Sequence, residues 1–105
     1  MTIEEKFESA QSNVNKLKEI IEKLKNFSNH ESIEIVLSLN LNFGEVESPL
    51  FLKIRHYHTG DLAFIFCQRG MIHFYDIDMN LLALSNDSNT IAMNVSDWIN
   101  KFSEN

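Results

Sequence analysis

The segment IRHYHTGDLAFIFCQRGMIHFYD, residues 54–76, holds three of the chain's four histidines and its one cysteine. These are the side chains that ligate zinc, or that pair as a nucleophile and its base. Whether they converge depends on how the segment folds. Its apolar residues recur with period two, and the glycine-bearing pairs TG and RG sit where tight hairpins would turn. Strands are therefore expected at about 50–58, 61–68 and 71–78.

A two-residue loop at Thr59-Gly60 would place His58 opposite Asp61, Ile54 opposite Ile65 and Leu52 opposite Cys67. A second at Arg69-Gly70 would place Cys67 opposite Ile72, Phe66 opposite His73 and Phe64 opposite Tyr75. One sheet face then carries Leu52, Ile54, Ala63, Ile65, Cys67, Ile72 and Phe74, with His56 and His58 at its edge. A one-residue slip would scatter this apolar set. His73 points to the other face, and Cys67 stands about four residues from His56, roughly 13 Å at strand rise. That is far beyond zinc-ligand distances. The segment reads as a meander, and no metal or other cofactor is expected.

The remaining chemical candidates are thin. DIDMN gives Asp76, Asp78 and Asn80 the opening spacing of a calcium loop, but Leu81 stands where the loop needs glycine, and Leu82 and Leu84 read as buried. His58 near Asp61 resembles an oriented base without a nucleophile or oxyanion device. Cys67 has apolar neighbours and no thiolate-stabilising partner. With three glycines the chain has no phosphate-binding glycine loop. No catalytic residues are expected and the chain does not read as an enzyme.

Elements on either side must position this meander. Thr2 and Glu5 have the spacing of a capping box. Ile3, Phe7, Ala10, Val14, Leu17, Ile21 and Leu24 then recur at steps of four and three, predicting a helix from about 3 to 27, with Ile20 and Phe27 widening its stripe. The heptad-like spacing also suits a coiled coil, but packing across the protein's own sheet is preferred. From Ile33 to Phe43 the period is two, and GEVESP reads as an acidic loop before Leu50. LLALS is a weaker fifth strand. In TIAMNVSDWINKF, either one helical face runs throughout or Ser96 caps a shorter helix. The second is preferred, because Asn94 and Ser96 are poor interior residues. The expected architecture is one α+β domain over 1–105: a long N-terminal helix, an antiparallel β-meander of four to five strands and a short C-terminal helix.

Bulk properties narrow the partners. One hundred and five residues with 44% hydrophobic content suffice for a core. A net charge of −6, with the basic residues dispersed, argues against direct nucleic-acid binding. No apolar run reaches the ~20 residues of a membrane span. The acidic start MTIEEKFESAQ is unlike a secretory signal, so a cytoplasmic location is expected. The second sheet face carries Tyr57, Phe64, Phe66 and Tyr75 with Lys53 and Arg55 among them. It reads equally as a partner surface, a face covered by the first strand or helix, or a homodimer seam.

TGDLAFIF, GMIHFYDID and NTIAMNVSDWINKF, through Gly60, Asp61, Asp76, Asp78, Ser96, Trp98 and Phe102, resemble the close of the SUKH family of bacterial immunity proteins. The amino-terminal proline-containing segment and the glycine-rich turn of that family are missing. The resemblance implies a protein that neutralises a cognate basic toxin or nuclease. Carboxylates would then cover the partner's cleft, from Glu45, Glu47, Asp76, Asp78 and Asp87, with Tyr57, Phe66 and Tyr75 as anchors. A dimeric secretion-type chaperone and a small-ligand-binding domain are the alternatives.

Overall fold

A computed structural model describes residues 2–27, 30–43 and 46–103 of the chain. The elements follow as α1 (Ile3–Leu24), a 3-10 turn (His30–Ser32), β1 (Ile33–Phe43), β2 (Val46–His56), β3 (Leu62–Gln68), β4 (Met71–Asp76), β5 (Leu81–Ser85) and α2 (Ser88–Ser103). The strands form one antiparallel sheet in the order β1-β2-β3-β4-β5. The fold is α+β.

Parity decides which side chains meet. In the β3–β4 hairpin Phe64 faces Tyr75, Phe66 faces His73 and Cys67 faces Ile72, as the two-residue turn at Arg69-Gly70 predicts. Both turn residues have positive φ, 54° and 76°, the conformation that matches the strands' own twist. The β2–β3 register differs from expectation. Ile54 pairs with Ala63 and Leu52 with Ile65, a shift of two residues. The loop is wider than Thr59-Gly60: the His56 N–H donates to Asp61 O at 2.9 Å and the Gly60 N–H to His56 O at 2.8 Å. A shift of two preserves parity, so the side chains of β2 and β3 keep their expected faces, while Tyr57 and His58, expected on the sheet, fall in the loop.

One face is closed by both helices. Leu52, Ile54, Ala63, Ile65, Cys67, Ile72 and Phe74 form a core with Leu17, Ile20 and Leu24 of α1 and Ile91, Ala92, Val95, Trp98 and Ile99 of α2. The Phe74 and Trp98 rings meet edge to face at 6.3 Å. Thr2 caps α1 by accepting the Glu5 N–H at 3.2 Å. On α1, Ile3 at the first turn is 83% exposed, whereas Leu17, Ile20 and Leu24 are buried. Two polar contacts fix the helix laterally. Lys16 Nζ donates to Gly70 O at 3.0 Å, and Ser88 Oγ donates to Glu19 Oε2 at 2.9 Å.

Two further expectations are corrected. Part of GEVESP is strand, since β2 begins at Val46. The C-terminal helix is not short and does not begin at Ser96: residues 90–95 are helical. Asp87 caps it from outside, accepting the N–H groups of Asn89 and Thr90 and the Thr90 hydroxyl. Asn94 is accommodated because its amide donates to Thr90 O at 2.8 Å. Burial of Ile91, Ala92 and Val95 outweighs the weak local propensity.

The closed face should dominate stability. Phe74→Ala is expected to cost about 3–5 kcal/mol in urea unfolding. Ile77→Ala, at a side chain 44% exposed, should stay within about 0.5 kcal/mol. Equal losses would show that the helices do not define the core.

Candidate functional site: the open face of the sheet

The opposite face divides into two halves. On its inner half Phe51, Phe64 and Phe66 form a second buried cluster together with Leu41 of β1. Phe51 and Phe64 meet edge to face at 5.9 Å. This half is thus buried.

The outer half, across β4 and β5, is open. Cross-strand pairing sets His73 beside Phe66 on one side and Leu84 on the other, and Tyr75 beside Phe64 and Leu81. Phe66, His73 and Tyr75 stack nearly parallel, with centroids 4.8 Å apart for Phe66–His73 and 5.7 Å for Phe66–Tyr75. Leu81 is 49% exposed and Leu84 48%. Sequence reading takes Leu84 as buried and so misses it. The alternation is legible, but nothing in LLALS announces that both helices lie on the other face.

Of the sequence-predicted contacts, Tyr57 is exposed in the β2–β3 turn and Tyr75 is half-buried in the stack. Phe66 is 1% exposed, so it supports the stack from beneath instead of meeting a partner itself. Glu45 lies outside the described residues. The backbone of Glu47 is paired with Asn42 in the β1–β2 hairpin, and its side chain lies outside the description.

The aspartates shape loops. Asp76 Oδ1 accepts the N–H groups of Asp78 and Asn80, each at 2.9 Å, and Oδ2 accepts the Asn80 amide at 3.0 Å. Asp76 therefore ties the β4–β5 turn from within, while Asp78 is exposed beside it. The Thr90 hydroxyl, aided by the N–H groups of Asn89 and Thr90 and by the charge of Lys23, holds the Asp87 carboxyl below its ordinary range against a smaller opposing effect of burial.

The His56 and His58 rings lie 5.7 Å apart, but neither Cys67 nor His73 joins them. His56 is buried at the edge of the helical core, with its Nδ1 accepting the His58 N–H at 3.2 Å and its ring 6.4 Å from Trp98. Burial pushes the Cys67 thiol up, partly offset by Lys16, as befits a core residue and not a nucleophile. Among the described residues no three His, Cys, Asp or Glu side chains gather as metal ligands. Burial also pulls the His73 imidazole down, against the opposing Gln68 carbonyl. Its Nδ1 is buried without a hydrogen-bond partner. Neutral His73 behaves here as an aromatic ring.

No family model matches the sequence, and neither a curated protein nor a solved structure shows significant similarity to the chain.

Two outcomes follow. A histidine whose pKa is lowered by folding contributes its full stability above the ordinary value near 6.5, and that contribution falls away as the pH drops below it. Urea midpoints should therefore fall between pH 8 and pH 5.5, with a shallower fall in His73→Phe; an unchanged slope would remove His73 from the account. For Asp87, Asn is an equivalent cap and Ala is not. Asp87→Ala should lower the urea midpoint while Asp87→Asn largely keeps it, and equal loss in both would point to the charge instead of the cap.

Proposed function

We propose that the chain is a small acidic binding protein that neutralises a basic partner protein, of the toxin-immunity or nuclease-inhibitor kind. The observation that carries this reading is the open outer half of the sheet. There Leu81 and Leu84, each about half exposed, flank the His73–Tyr75 stack on the face away from both helices. Contiguous exposed apolar surface of this kind marks interaction sites. Rigid stacked rings are suited to anchoring, since little side-chain freedom is lost when a partner docks.

Charge supports the choice of partner. The net charge of −6 steers a basic protein toward the chain at long range. Asp78 stands exposed at the rim of the open half, and Tyr57 extends the surface from the β2–β3 turn. The carboxylates of Glu45 and Glu47 are proposed as further rim charges. Asp76 and Asp87 act one step removed, by holding the turn and the helix end that frame the face. Cofactors have no part in this reading, and the resemblance to SUKH immunity proteins agrees with it. It places the protein in the cytoplasm, where its partner would be intercepted.

Tagged protein isolated from its native host should carry one basic protein at stoichiometric amounts, identified by mass spectrometry. Tyr75→Ala and Leu84→Lys should each weaken that complex tenfold or more, equivalent to about 1.4 kcal/mol. Undiminished binding by both variants would overturn the assignment of this face. Recovery of several unfolded clients would favour a chaperone.

A further inference from the structure

The two edges of the sheet are built differently. At one edge β5 is five residues long, and its pairing with β4 is interrupted by an irregularity at Phe74/Tyr75. Short, bulged edges resist further pairing. At the other edge β1 runs eleven residues as IEIVLSLNLNF, with no proline and no charge beyond Glu34. Its partner is β2, so its outer row of N–H and C=O groups faces outward. The helices do not cover its centre, where Leu37 is 48% and Leu39 71% exposed on the helical face.

We infer that β1 pairs antiparallel with β1 of a second copy, forming a closed two-fold dimer with one continuous ten-stranded sheet. The strand is self-complementary. With the axis at Ser38, the central residue, all eleven positions overlap. Leu37 then faces Leu39 of the second copy. Residues directly opposite share a face, so the exposed leucines pair with each other on the helical side. The single charged residue, Glu34, meets Asn42, so no like charges oppose across the seam. An acidic or basic foreign strand would gain nothing from such an uncharged edge, which favours a second copy as occupant.

The size of the contact sets its strength. A strand about 37 Å long on a sheet about 10 Å thick offers on the order of 370 Å² per copy. That is about half the ~800 Å² per partner of a standard stable interface. The dimer is therefore expected to be weak and reversible. The perpendicular two-fold axis puts all helices on one side and leaves both open faces free on the other. The inference goes beyond the proposed binding function and uses none of its residues.

Sedimentation velocity of the full chain over a micromolar-to-millimolar series should show a monomer–dimer equilibrium. Leu39→Lys should abolish it while leaving the circular dichroism spectrum unchanged. Ser38→Cys should give self-linked dimer under mild oxidation or with a short bis-maleimide, and Leu84→Cys should not. A monomer at every concentration would overturn the inference. So would a dimer that survives Leu39→Lys or links through Leu84→Cys, either of which would move the seam to the open face. Open-ended growth instead of a closed dimer would also contradict it.

Discussion

Side chains alternate across a single sheet, and both helices lie on one side of it. Every other feature of the molecule follows from those two facts. Because neighbouring side chains alternate along β2, β3 and β4, closing one face over Leu52, Ile54, Ile65, Ile72 and Phe74 obliges Phe51, Phe64, Phe66, His73 and Tyr75 to occupy the other. Among the described residues there are two α-helices, and they pack with each other as well as with the sheet. The second face must then be covered by strand, by partner, or left open. Leu41 of β1 joins the buried cluster on its inner half, and the outer half is left for other uses.

That division explains why Cys67 and His73 stand apart from the His56–His58 pair. His56 and Cys67 belong to the helical side, at opposite ends of it, whereas His73 is in the ring stack on the far side. Burial raises the thiol pKa of Cys67 and lowers the imidazole pKa of His73. The aspartates that punctuate the turns likewise expend their oxygens on backbone N–H groups. What faces outward on the outer half of the sheet is apolar and aromatic surface within an acidic whole.

Much of this was legible in the sequence, for reasons that differ from element to element. The core face could be read residue by residue because period-two alternation survives an error of two in loop length, as the β2–β3 turn demonstrates. The Arg69-Gly70 turn was legible in full, since two residues with positive φ specify one hairpin type. The start of α2 was not. Its cap, Asp87, precedes a run of weak helix formers whose stability comes from burial against the sheet, and local propensity does not see that burial. The exposed leucines of β5 and β1 were missed for the same reason. An apolar residue in an alternating strand looks buried until the covering layer is known; here that layer stops short of the β1 edge and no helix lies over the face of β5 that carries Leu81 and Leu84.

The central claim is that the helices seal one face and that the outer half of the other is open in the free protein. Hydroxyl-radical footprinting of the isolated chain at low micromolar concentration, read by mass spectrometry, addresses it directly. The account predicts strong labelling of Tyr57, Leu81 and Leu84, with Phe74, Ile65 and Trp98 protected. Protection of Leu81 and Leu84 to the level of Phe74 would contradict it, because the supposed open face would then already be part of a core.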